Sequence, residues 1–183
     1  FLKYIEIGFT HILPKGLDHI LFVLGLFLLS THWKPLLIQV TSFTVAHTVT
    51  LSLSMYGVAS IPVSIVEPLI ALSIVYVGVE NIITRELKHW RPLLVFLFGL
   101  LHGLGFAGVL TEIGIPEAYF LESLIAFNFG VELGQLAVIG CAYLLVGWLF
   151  NQRSWYRGTV VIPGSLMISL IGVWWVYERV MFS

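Results

Sequence analysis

Charge is what this sequence has least of. Lys, Arg, Asp and Glu make up 10% of its 183 residues, against about 25% in an ordinary soluble domain. With 58% hydrophobic residues and a mean hydropathy of +0.98, the chain cannot solvate its own surface in water; lipid as solvent removes that requirement. A basic face is missing too. Nine Lys and Arg stand against ten Asp and Glu, and the basic residues scatter to the ends of apolar segments, which excludes nucleic acid as a partner. Cysteine is limited to Cys141, so an intramolecular disulfide and a Cys-rich metal site are both excluded. The spacings HExxH, HxH and CxxC are absent, so any metal site must draw its ligands from separate segments. The His-bearing stretches AHTVTL and LHGLGF are too unlike to argue for a duplicated half.

What is present is a series of long apolar runs. Stretches 17–32, 36–57, 62–84, 91–112, 119–149 and 158–181 each approach or exceed the roughly 20 residues that a spanning helix needs. The chain is therefore expected to be all-α, a single polytopic membrane domain over 1–183 with about six transmembrane helices. Residues 1–16, ahead of the break at Pro14 and Gly16, are expected to lie at the outer interface or to re-enter the membrane. Basic residues mark alternate connections: Lys34, then Arg85, Lys88 and Arg91, then Arg153 and Arg157. The other connections carry none, and one holds Glu112, Glu117 and Glu122 instead. By the positive-inside rule the basic connections are cytoplasmic and both termini face the periplasm of a bacterial inner membrane. The chain opens on Phe1, and an upstream extracytoplasmic domain is expected before it. Trp33, Trp90, Trp148 and Trp155 read as interfacial anchors on the basic side.

Ionisable residues inside spanning segments are costly and mark functional sites. Here they are few. Asp18 and His19 open the first span, with His11 just before it. His47 and His102 lie near the middle of the second and fourth spans, and Glu67 just inside the third. Asn128, Glu132 and Gln135 share one face of the fifth, at i, i+4 and i+7. Counting residues inward gives a depth order, with Asp18 and His19 at an outer mouth and His47, His102 and Glu132 on a floor near midplane. Neutral imidazoles and carboxylates are the ligand set for divalent Zn, Ni, Co or Fe. The plainer alternatives are an ordinary helix-start pair for Asp18 and His19, and interhelical hydrogen bonding for His47 and His102. The hydroxyl-rich run TSFTVAHTVTLS, which includes Ser42, surrounds His47.

At these residues the sequence resembles the HupE/UreJ family of bacterial membrane proteins, in particular its second branch. The matching stretches are HILPKGLDHILFVLGL (11–26), FTVAHTVTLSL (43–53), EPLIALSIVYVGVEN (67–81), FGLLHGLGFAGVL (98–110) and FNFGVELGQ (127–135). His11, Asp18 and His19 match in type the His and Asp-His pattern of the first branch, at a spacing one residue longer. The resemblance implies a nickel or cobalt permease tied to the supply of hydrogenase and urease.

Two functions of different class follow. As a permease, the protein takes His11, Asp18, His19, His47 and His102 as ion-binding residues, with Glu67, Asn128, Glu132 and Gln135 in support. As an intramembrane hydrolase, it holds a resident zinc on His ligands, with Asp18 or Glu132 as general base and Ser42 assisting. A membrane anchor subunit of a larger complex is the third reading. Expected partners are the bilayer, a metal ion and, on any of these readings, a second copy in a homo-oligomer.

Overall fold

The structure, a computed structural model, describes residues 1–113 and 119–182, with side chains outside 106–113. Pro116 and Glu117, and the side chain of Glu112, lie outside the described residues. Among those residues the chain folds into helices alone: α1 (Leu2–Ile12), α2 (Leu17–Leu29), α3 (Trp33–Met55), α4 (Val63–Ile83), α5 (Arg91–Ile113), α6 (Phe120–Phe150) and α7 (Arg157–Met181). A π-turn over Tyr143–Gly147 lies within α6, and another over Arg157–Val161 opens α7. Helices α2 to α7 each overlap one of the six long apolar stretches, and α3 begins three residues ahead of its stretch, at Trp33.

Four of these helices, α3, α4, α6 and α7, are individually long and apolar enough to cross a membrane, and α1 with α2 makes up to a fifth crossing. The outward faces explain the hydropathy. Val45 and Val49 on α3, Leu69 and Leu72 on α4, and Leu166 and Leu170 on α7 are exposed. The buried set, by contrast, includes His19, Gln39, His47, Glu80, Asn81, Arg91, His102, Asn128 and Gln135. Apolar side chains outside and polar ones inside is the arrangement that lipid stabilises. Three hydroxyls on α3 find an acceptor on their own helix: Thr44, Thr48 and Thr50 each donate to the carbonyl four residues back, so they add no unpaired polar group.

The first crossing is broken. At 13 residues, α2 is about 20 Å long, short of the roughly 30 Å hydrocarbon core. Residues 1–13, expected at the interface or re-entrant, form α1, packed lengthwise against α6. Gly130 makes this contact: a Cβ there would strike the Ile5 carbonyl oxygen and come within 2.8 Å of the Phe9 nitrogen. Tyr4 and Phe1 sit beside Tyr119 and Glu122 at the start of α6, and Ile12 reaches Gly134. Thus α1 descends beside α6 before the chain bends by 72° and α2 continues. Phe1 lies at the start of α6, and Arg179 near the end of α7 meets Glu67 in the second turn of α4. In the break at residues 13–16 Gly16 is buried and Leu13 half-buried, while Pro14 and Lys15 are exposed.

Candidate metal centre

The broken crossing places His11 in the last turn of α1 and Asp18 and His19 in the first turn of α2. His47 comes from α3 and His102 from α5. These residues form one cluster. The His19 ring lies 4.8 Å from His11, 4.8 Å from His102 and 6.0 Å from His47, centroid to centroid, and His11 lies 6.1 Å from His47. The two-level arrangement expected from counting residues along spans is therefore replaced by a single level. The count treated α2 as entering from the surface, whereas α1 carries the chain to the level of His47 first.

Close backbone approach makes the cluster possible. A Cβ on Gly16 would strike the His11 carbonyl and lie 3.3 Å from His19 Nδ1. On α5, a Cβ on Gly103 would strike the His47 carbonyl and the Thr50 hydroxyl. Both positions demand glycine because what they would meet includes backbone, which cannot rotate away.

Each of three imidazoles is fixed through Nδ1. His19 Nδ1 is 3.0 Å from Asp18 Oδ1, which also accepts from the His19 backbone N–H. His47 Nδ1 is 3.0 Å from Asn128 Oδ1. Asn128 donates its Nδ2 to the Leu124 carbonyl at 2.9 Å, which leaves its oxygen facing His47 as an acceptor. His102 Nδ1 is 2.8 Å from the Phe98 carbonyl. All three acceptors lack a proton to give, so Nδ1–H is the donor in each pair and the lone pair sits on Nε2. Those Nε2 atoms on His19, His47 and His102 are buried and take no hydrogen bond. A buried polar atom without a partner needs an occupant to explain it. Imidazoles oriented at Nδ1 with Nε2 presented are the form in which histidine binds a metal.

One ligand atom each from His11, His19 and His47 lies within 4.8 Å of the others. Nitrogen ligands at about 2.0–2.1 Å from one ion stand roughly 3–3.5 Å apart in tetrahedral geometry, so these donors fit an ion after a small closure. His102 adjoins this group through His19. Asp18 keeps 26% of its side chain exposed while His19 has 3%, so Asp18 is a partly exposed member of the cluster.

Asn128 holds the ring and donates nothing to an ion itself. Asn128→Ala is expected to lower metal affinity about 10–100-fold, the usual cost of losing an orienting partner, with the stoichiometry unchanged in calorimetric titration.

Other residues singled out from sequence stand apart from the cluster. Glu132 accepts from Thr41 at 2.7 Å on the exposed side of the α3–α6 contact. Gln135 accepts from Thr44 at 3.2 Å. Ser42 donates to the Ile38 carbonyl at 2.7 Å. Glu67 meets Arg179, whose Nη1 donates to the Glu67 carbonyl at 2.9 Å.

Toward the basic end the cluster is closed by aromatic rings. Phe22, Phe43 and Phe98 each lie one turn from a cluster histidine on the same helix. Phe22 is 5.4 Å from Phe43, 5.8 Å from Phe98 and 5.6 Å from His102, and Phe43 is 4.9 Å from His102. Phe22 and Phe43 are fully buried.

Beyond the rings lies a second buried polar group that the sequence reading missed. Arg91, with no exposure, has Nε 3.4 Å from Glu80 Oε2. Asn81 donates to the Gly25 carbonyl at 2.8 Å and to Ser165 Oγ at 3.2 Å. Arg157 donates to the Asn81 and Ile82 carbonyls. In the sequence Arg91 reads as a topology marker; the signal for its partner is Glu80, an acid four residues inside the end of its apolar stretch.

A family model described as HupE / UreJ protein matches residues 1–179. No curated protein and no solved structure matches the chain.

Proposed function

The chain belongs to the HupE/UreJ family, and from that premise we propose that it is a permease for a divalent transition-metal ion of the nickel or cobalt type. It works in a bacterial inner membrane with the basic end of the bundle facing the cytoplasm. One observation carries the proposal: His19, His47 and His102 each present a buried Nε2 with no hydrogen bond, while Nδ1 is held. Imidazole suits nickel and cobalt. It binds them without the thiolate ligands that would turn a passage into a trap.

The broken helix supports the same reading. The carbonyl end of α1 carries partial negative charge and lies next to the cluster. Half-helix ends placed at a midplane site are a recurring transporter device for holding cations. Asp18 supplies a negative charge at the approach and keeps the His19 ring in place.

Hydrolysis by a resident zinc has less in its favour. Zinc suits the same histidines, but a general base and an assisting hydroxyl are not gathered around them. Asp18 Oδ1 is committed to His19, Glu132 to Thr41 and Ser42 to its own helix.

Uptake of Ni²⁺ or Co²⁺ by cells expressing the protein, with elemental analysis of the purified protein, tests the proposal. His47→Ala and His102→Ala are each expected to abolish accumulation. Wild-type uptake in both variants would sink it, and a tightly held stoichiometric zinc without uptake would favour the hydrolase.

A further inference from the structure

An ion leaving the histidines for the basic end meets the Phe22, Phe43 and Phe98 rings, then the packing of Leu26, Ile74, Val77 and Val95. Arg91 lies two turns of α5 beyond Phe98, about 10 Å along the helix. At that depth stands a carboxylate with an unusual environment. Glu80 is 8% exposed, and its Oε2 has no hydrogen bond. Nε and Nη1 of Arg91 have none either. The two groups are close, at 3.4 Å, yet Arg91 makes only a long contact to Asn81 Oδ1, at 3.5 Å. A buried ion pair kept for stability alone is expected to satisfy its remaining donors and acceptors, because the desolvation cost is otherwise uncompensated.

We propose that Glu80 is a second, inner station for the same cation, held in this conformation by Arg91 and sealed from the histidines by the Phe22, Phe43 and Phe98 plug. The inference rests on the permease reading. A divalent ion attracts a carboxylate about twice as strongly as a guanidinium at equal distance, so an arriving ion displaces Arg91. Oxygen donors adjoin the pair through Asn81: its Oδ1 accepts from Arg91 at 3.5 Å, and its Nδ2 donates to Ser165 Oγ and the Gly25 carbonyl. Oxygen ligands hold nickel and cobalt more weakly than imidazole does. The stations therefore run from tighter to weaker along the exit direction, which favours release. When the ion departs, Arg91 returns and restores the pair. The group also ties α2, α4, α5 and α7 together at the basic end, so displacement of Arg91 loosens the helices that carry Phe22 and Phe98.

The test uses the full chain with Ni²⁺ as probe, measuring equilibrium binding in detergent and flux into proteoliposomes. Glu80→Gln alone leaves Arg91 buried without a counter-charge, so the double variant E80Q/R91Q is measured beside it. Both are expected to bind Ni²⁺ within about threefold of wild type, because the His cluster is intact, while flux falls at least about tenfold. A merely structural pair gives the opposite pattern: neutralising both partners restores the packing and returns flux to the wild-type rate, which overturns the proposal. Wild-type flux in Glu80→Gln alone also overturns it, leaving the permease reading intact. Absence of flux in the wild-type protein despite binding removes the permease reading, and the inner station with it.

Discussion

His19→Ala is expected to lower Ni²⁺ affinity by more than about 100-fold, beyond what loss of a single orienting partner costs, and to abolish uptake. The size of the effect follows from its position. His19 is in ring contact with His11, His47 and His102, and it is the partner of Asp18. Removing it deletes a ligand, separates His102 from the other two histidines, and leaves the half-buried Asp18 carboxylate without its counterpart. His19→Gln separates these losses. Glutamine still donates a hydrogen bond, so it can retain the Asp18 contact and the fold, but it lacks an imidazole lone pair. Isothermal titration and thermal unfolding in detergent read the two effects independently. A stable His19→Gln protein with wild-type affinity would exclude His19 as a ligand. The same titration on His32→Ala, at the basic end and remote from the cluster, serves as a neutral reference.

The helical membrane architecture was legible because it depends on composition and on the length of apolar runs, which are one-dimensional properties. The identity of the cluster histidines was legible for a related reason: a buried His in an apolar stretch is expensive enough to stand out in the sequence alone. Their arrangement was not. Depth was counted along each span from its end, and that count fails for a crossing made of two helices bent by 72°. The signal was there in Pro14 and Gly16, but a break in a chain does not say whether the segment before it lies on the membrane or packs inside it. Contacts such as those of Gly130 with Ile5 and Gly134 with Ile12 distinguish these, and they join residues far apart in sequence. Glu132 illustrates the converse. It shares a helix face with Asn128 and Gln135, yet Asn128 reaches His47 while Glu132 turns to the exposed Thr41, because a face spans more than one neighbour. Arg91 was hidden by its position at a segment end, where a basic residue is ordinary. Its burial follows from the pairing with Glu80 on α4, eleven residues earlier and across a turn.

Gly130→Ala is expected to disturb the site from a distance. The added Cβ meets the Ile5 carbonyl oxygen and the Phe9 nitrogen, both backbone atoms of α1, so no side-chain rotation relieves the contact and α1 must move off α6. Overpacking of this kind costs about 1–3 kcal/mol, read as a lower unfolding midpoint in detergent. The functional consequence is more specific. His11 sits in the last turn of α1, so displacing α1 withdraws it from His19 and His47, and Ni²⁺ affinity falls by roughly tenfold, the coupling expected when one of several ligands is withdrawn. A double-mutant cycle isolates the route. In the wild-type background His11→Ala weakens binding; in the Gly130→Ala background it adds little, because the ligand has already left. Gly140→Ala on the same helix is the control, since a Cβ there meets nothing within 4 Å and helix propensity alone favours alanine by up to about 1 kcal/mol. If Gly130→Ala behaves like Gly140→Ala in both stability and affinity, the packing of α1 on α6 does not position His11, and the broken helix loses its role in building the metal centre.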